Sequence, residues 1–158
     1  MMRGGWLHNR MVAGLADVLR RGGAWVRLEH AIRVGGRTLA GDLYAGLGHQ
    51  TILVEVERRP DRVPTDLTKA EALGAVWCVI VTPTPRIART VTRKLTARPE
   101  LRRGLQCRIV VWPYGVAQQR VAELLSLDDS PHISADIKTS NQSETKMRGG
   151  RHGSQIEP

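Results

Sequence analysis

Asp42, Glu55, Glu57 and Lys69 are the residues of this chain whose types and spacing could do chemistry together. Residues 51–57, TILVEVE, alternate so that Ile52, Val54 and Val56 share one face of a strand while Leu53, Glu55 and Glu57 share the other. Side chains at i and i+2 on a strand stand roughly 7 Å apart, where two ionised carboxylates repel by about 2 kcal/mol at an effective dielectric near 20. A compensating charge is therefore expected beside them. Residues 37–45, RTLAGDLYA, read as a second strand, and 46–50 as a short connection, so that an antiparallel hairpin brings Asp42 next to Glu55. An aspartate and a glutamate converging from adjacent strands, with a third carboxylate beside them, make a hard oxygen site suited to Mg²⁺ or Mn²⁺. Acidic residues at strand ends are ordinarily solvated, and it is the apolar setting ILVEVE that singles these out.

Glu29 and Lys69 each have two readings at this site. Glu29 lies early in the strand-like run 25–34, WVRLEHAIRV, and has two readings: a fourth carboxylate directed at the site, or an exposed partner of Arg27 or Arg33. Lys69 lies on the helix-like run 66–73, DLTKAEAL, where Asp66, Lys69 and Leu73 share one face. It either points back over the sheet toward Glu55 or is a solvated helix lysine. Arg58 follows Glu57 directly and should point to the opposite strand face from it.

The elements that must hold these residues alternate between helical and strand-like periods. Helices are expected near 7–21, 66–73, 85–96 and 116–127, and strands near 25–34, 38–45, 51–57, 77–82 and 106–112. Leu7, Met11, Leu15, Val18 and Leu19 form the apolar face of the first helix, which Gly22 and Gly23 end. Thr65 reads as the N-cap of the second and Gly74 as its stop. The strand, helix, strand order over 51–82 allows a parallel crossover, and the class is α/β with a mixed central sheet flanked by helices. Beyond residue 127, Ser, Thr, Asn, Gln, Lys and Gly dominate, so 128–158 read as a disordered tail and 1–127 as one domain.

Charge points to the partner. Residues 1–127 hold 20 Lys and Arg against 10 Asp and Glu, a net +10, whereas 128–158 hold 4 against 5, a net −1. Eighteen of those 20 cations are arginine, the side chain best fitted to grip phosphate with two prongs, so nucleic acid is the leading partner class. Arg58, Arg59 and Arg62 lie in the proline-punctuated connection beside the acidic residues, and Arg86, Arg89, Arg93 and Lys94 make a phosphate-facing helix surface. Cys78 and Cys107 lie in apolar runs without CxxC spacing, which reads as core thiols in a reducing, cytoplasmic compartment. No apolar stretch approaches 18 residues, so no membrane partner is expected, and the five histidines are too scattered for a zinc site. Oligomeric state stays open, with a homodimer among the options.

The order helix, strand, strand with Asp42, strand with Glu55 and Glu57, helix with Lys69, strand, helix, strand resembles the PD-(D/E)XK nuclease superfamily. That resemblance covers about residues 6–127 and implies a restriction-endonuclease-like fold. By it, Asp42 and Glu55 would be the metal-binding acids and Glu29 the supplementary acid. Gly41 stands where the motif often has proline, and Glu57 where it has lysine. Some members carry glutamate at that position and others move the lysine to the following helix, for which Lys69 is well placed. The GDL strand, EVE strand, DLxKA helix and VIVTP strand also look like small nucleases of plasmids and mobile elements. The resemblance implies a Mg²⁺-dependent phosphodiesterase, endonuclease or exonuclease, acting on DNA. In it the metal activates water, Lys69 supports the developing charge or orients the water, and Glu57 serves as base or second-metal ligand. The competing reading is a non-catalytic nucleic-acid-binding or partner-docking protein on the same fold.

Overall fold

The computed structural model describes residues 5–127, so the tail expected over 128–158 lies outside the described residues. The chain runs α1 (Trp6–Arg21), β1 (Trp25–Val34), β2 (Arg37–Leu47), β3 (Gln50–Val56), a 3₁₀ turn (Pro60–Arg62), α2 (Val63–Leu73), β4 (Trp77–Thr82), α3 (Pro85–Ala97), a second 3₁₀ turn (Pro99–Arg102), β5 (Arg108–Pro113) and α4 (Tyr114–Leu124). Its five strands form one sheet in sequence order. The β1–β2 and β2–β3 pairs are antiparallel, and β3–β4 and β4–β5 are parallel. The fold is thus α/β, a mixed sheet flanked by four helices.

Strand periodicity divides the core. Ile52, Val54 and Val56 of β3 and Val79 and Val81 of β4 pack with Leu15 and Leu19 of α1 and Val121 of α4. The alternate residues Leu53, Cys78 and Ile80 pack with Leu67 and Ala70 of α2 and Val91 and Leu95 of α3. One face of the sheet therefore carries α1 and α4, and the other α2 and α3. Glu55 shares the face of Leu53, and is thereby aimed at α2. All six residues of β4 are buried, as expected of a strand covered on both sides.

The first hairpin changes face in mid-course. Its ladder pairs Leu28 with Leu43 and His30 with Gly41, lapsing between them where Glu29 lies opposite Asp42. Glu29 has φ +47°, a left-handed conformation that costs a side chain with a Cβ about 1–2 kcal/mol. Before this point Leu28 and Leu43 pack toward α1. After it, Ile32 belongs to the α2 side and Gly41 faces Leu53 and Glu55. The β2–β3 ladder also ends here, running from Leu47 opposite Gln50 to Leu43 opposite Val54. Where the strands part, the Asp42 carboxylate replaces the ladder by accepting the Val56 N–H at 2.8 Å.

Two local expectations need correction. The second helix begins at Val63, with Pro64 in its first turn where a missing N–H is harmless, so Thr65 is not its N-cap. Gly74 does end it, in the left-handed conformation at φ +62°. Strand β3 closes at Val56, leaving Glu57 at the first position of the loop rather than on the strand.

Candidate functional site

The parted strands open a cleft of about 630 Å³ bounded by the start of α1, the ends of β2 and β3, the 58–62 connection and the start of α2. Its carboxylates are Asp42, Glu55, Glu57 and Asp66, and its cations Lys69, Arg58, Arg59 and Arg62. Glu55 and Asp66 are almost wholly buried, at 3% and 2% exposure, which for acidic side chains demands a partner.

Lys69 is that partner for both. Its Nζ donates to Glu55 Oε2 at 2.9 Å and to Asp66 Oδ1 at 3.1 Å. The second contact follows from helix geometry, since residues i and i+3 of α2 lie on one face, and the first from the inward parity of Glu55 on β3. The triad still holds two carboxylates for one ammonium. Glu55 Oε1 and Asp66 Oδ2 are buried with no hydrogen-bond partner among the described residues. Burial pushes the Glu55 carboxyl well above the ordinary range, the Asp66 charge adds to this, and Lys69 offsets it only in part. Burial likewise raises Asp66 to about 6, against the pull of Lys69 and with the charges of Glu57 and Asp42 adding to the rise. Burial alone would lower the Lys69 ammonium, but Glu55 and Asp66 outweigh it and its pKa is raised.

Asp42 forms the opposite wall. Its Oδ2 takes the Val56 N–H and also lies 3.0 Å from His8 Nε2 on α1. That hydrogen bond raises the His8 pKa against burial, with the charges of Asp42 and Glu57 in support. Both contacts fall on one oxygen, which fixes the carboxylate's orientation. Gly41 lets Glu55 pack closely under β2. A Cβ there would meet Leu53 Cδ1 at 2.9 Å, Ile32 Cδ1 at 3.0 Å and Glu55 Oε1 at 3.3 Å. The space a side chain would fill is taken by the Leu53 and Ile32 methyls, with the Glu55 carboxylate beside them.

Of the residues singled out in the sequence, Asp42, Glu55, Glu57 and Lys69 line the one cleft. Glu57 stands at its edge, its Oε1 accepting the Arg59 N–H at 2.7 Å. Arg58 does not take the opposite side from Glu57, because β3 has already ended, and both line the cleft. Arg59 is exposed and paired with Asp61 at 2.9 Å. Glu29 lines a small recess with His8, Asn9, Gly41 and Asp42, and is not among the residues lining the cleft that holds Glu55. Arg86, Arg89 and Arg93 are exposed along α3. Lys94 leaves that surface, since its Nζ donates to the Pro60 carbonyl at 2.8 Å and ties α3 to the connection.

Sequence reasoning missed His8 and Asp66 as site residues. Asp66 carried a signal, the i,i+3 spacing to Lys69 on a shared face. His8 carried none, because its proximity to Asp42 depends on how α1 packs across the sheet.

Asp42 and Glu55 suit Mg²⁺ or Mn²⁺ in donor chemistry, and the buried Glu55 Oε1 has no hydrogen-bond partner among the described residues. Among the described residues no group of three or more His, Cys, Asp or Glu side chains is gathered as a metal cage. Mg²⁺ is commonly held by one or two carboxylates, with water and substrate phosphate completing its shell. The residues present therefore fit such an ion. Among the described residues no helix is long and apolar enough to cross a membrane.

No family model matches the chain, and no curated protein matches it. Among solved structures it is similar to the crystal structure of a protein of unknown function, AF1548, at 11% identity and a TM-score of 0.46. The alignment covers 66% of this chain and 58% of that one.

Proposed function

We propose that this protein is a metal-dependent phosphodiesterase acting on DNA, a variant of the PD-(D/E)XK type in which Lys69 of α2 supplies the motif's missing lysine. The observation that carries the reading is the buried Lys69 shared by Glu55 and Asp66, with one oxygen of each acid left over, in a cleft rimmed by Arg58, Arg59 and Arg62. Catalysis of phosphoryl transfer rests on positioning and on fixed positive charge where negative charge develops. The chain supplies both.

In this reading Asp42 and Glu55 hold a divalent cation, which supplies activation of water and charge stabilisation at the phosphate. Asp42 is kept in place by the Val56 N–H and His8, so that its orientation is set before substrate arrives. Lys69, fixed by two carboxylates, has its third N–H for a non-bridging phosphate oxygen. Glu57, at the edge and held by the Arg59 N–H, is placed to accept a proton from water. The arginines of the connection and the stripe Arg86, Arg89 and Arg93 grip the backbone without reading sequence. Cys78 and Cys107, both free and buried, accord with a cytoplasmic location.

The test is incubation of the purified protein with plasmid, linear and branched DNA in Mg²⁺, Mn²⁺ or chelator, beside Asp42→Asn and Glu55→Gln. Cleavage that needs the metal and both acids is expected. DNA binding without cleavage under every condition would overturn the catalytic reading and leave a nucleic-acid-binding module.

A further inference from the structure

Residues 57–62 join β3 to α2 and carry Glu57, Arg58, Arg59 and Arg62 of the cleft. Arg58, Arg59, Asp61 and Arg62 are exposed, so packing does little to hold this stretch. Hydrogen bonds order it instead. The Glu57 N–H donates to the Val81 carbonyl at 2.8 Å, which keeps the backbone of Glu57 beside β4. Beyond that point the Arg59 N–H donates to Glu57 Oε1 at 2.7 Å, the Arg62 N–H to the Arg59 carbonyl at 3.0 Å, and the Arg59 guanidinium to Asp61 at 2.9 Å. These last links are local, each spanning three residues or fewer, and an ion pair as exposed as Arg59–Asp61 contributes little.

Lys94 reaches the turn from another element. Its Nζ donates to the Pro60 carbonyl at 2.8 Å from 34 residues away. The sequence shows why that carbonyl takes a side-chain donor. Four residues on, in the first turn of α2, stands Pro64, which has no N–H to return to it. Lys94 sits one residue before the buried Leu95, at the border of the buried face of α3, and is half-buried where Arg86, Arg89 and Arg93 are exposed. Fixing a lysine in one geometry forfeits side-chain freedom, so a lysine kept only to grip phosphate would stay in solvent with those arginines.

We propose that Lys94 is a positioning residue for the cleft: by holding the Pro60 carbonyl it fixes the turn, so that the Arg59 N–H keeps the Glu57 carboxylate oriented and Arg58 and Arg62 stay at the rim. The edge of the cleft is thereby set from α3, the helix whose arginines face the DNA backbone. The inference rests on the proposed function for the part played by Glu57, but the order of the connection can be read without metal or DNA.

The experiment compares Lys94→Met, which keeps the unbranched stem and loses the donor, with Lys94→Arg, which restores one. In metal-free protein, hydrogen exchange at the Arg59 and Arg62 amides should quicken about tenfold in Lys94→Met, the effect of losing one charge-assisted hydrogen bond. Exchange at the Glu57 amide and within α3 should change less than twofold, and Lys94→Arg should stay near wild type. With Mg²⁺, on whichever of plasmid, linear or branched DNA the wild type cuts, Lys94→Met should slow single-turnover cleavage at saturating DNA about tenfold and shift the half-saturating DNA concentration less than twofold. In a Glu57→Gln background it should slow cleavage no further, because it acts through Glu57. Unchanged exchange at Arg59 and Arg62 would overturn the inference. So would weaker DNA binding with an unchanged rate at saturation, the mark of a phosphate contact, or a full further loss in the Glu57→Gln background. A wild-type protein that cleaves nothing in Mg²⁺ or Mn²⁺, while Lys94→Met still loosens the connection, would refute the catalytic reading and leave the brace standing.

Discussion

Replacing Asp66 by asparagine should remove a pH dependence whose sign is set by burial. In the folded protein the Asp66 carboxyl titrates at about 6, against 3.8 when unperturbed. Because the folded pKa is the higher, the native state holds the proton more tightly. Asp66 thus contributes stability that is fully present below about pH 3.8 and lost as pH rises through about 6. At about 1.4 kcal/mol per pH unit, the gap amounts to roughly 3 kcal/mol in full and about 2 kcal/mol between pH 4.5 and 7.5. Asp66→Asn lacks that loss, and without the Asp66 charge the Glu55 carboxyl is also less raised, which acts in the same direction. The variant surrenders a contact to Lys69 at every pH, yet its stability relative to wild type should improve by about 2 kcal/mol from pH 4.5 to 7.5. Urea unfolding at four pH values, with unchanged m, reads this directly. A difference that is flat with pH, or that shifts in favour of wild type as pH rises, would show that Lys69 satisfies Asp66 fully and that the triad carries no excess negative charge. With that the argument for a cation in the cleft would fail.

Two further outcomes follow from the same geometry. Lys69→Ala should lower single-turnover cleavage by about a hundredfold or more, as loss of one preorganised charge does, and full cleavage by this variant would return the lysine's role to the carboxylates alone. Gly41→Ala, whose Cβ would stand 2.9 Å from Leu53 and 3.3 Å from Glu55 Oε1, should cost about 1–3 kcal/mol through overpacking and weaken Mn²⁺ binding measured by calorimetry; an unchanged affinity would show that Glu55 is not held by the space at Gly41.

What could be read from the sequence was whatever depends on local period. The parity of TILVEVE put Glu55 on the α2 face, and helix spacing let Lys69 face it; both follow from side-chain direction alone, and the hydrogen bond between them is the result. The hairpin itself was legible, though its connection is Gly48 and His49 rather than 46–50, and its register ends with Leu43 opposite Val54, one residue short of Asp42 and Glu55. What could not be read depends on how elements pack or break. Nothing in WVRLEHAIRV announces that Glu29 adopts positive φ and that the hairpin then changes face. Yet this break frees Asp42 from the ladder, separates Glu29 from the cleft and brings Gly41 onto Glu55. His8 reaches Asp42 from α1, an element far away in sequence. The helix start was misplaced for a plainer reason: Thr65 is a good capping residue, but Pro64 and Val63 are also acceptable in a first turn, and the 3₁₀ turn before them leads the chain straight in.

The break in the hairpin also explains why acidic groups can collect in the interior of a basic protein. A continuous ladder would give the Val56 N–H a carbonyl and would leave Asp42 nothing to bind. With the ladder interrupted, the N–H needs an acceptor and Asp42 provides it, so one acid is anchored by the backbone's own requirement. Glu55, by contrast, is placed by strand parity against a helix whose only nearby cation is shared with Asp66. Asp42 is therefore satisfied by the fold, whereas Glu55 and Asp66 each keep one buried oxygen without a hydrogen-bond partner among the described residues. Such an arrangement lowers stability unless a cation completes it. Binding of Mg²⁺ at a hundredfold over its dissociation constant would restore about 2.7 kcal/mol, comparable to the roughly 3 kcal/mol that the Asp66 carboxyl forfeits on ionising.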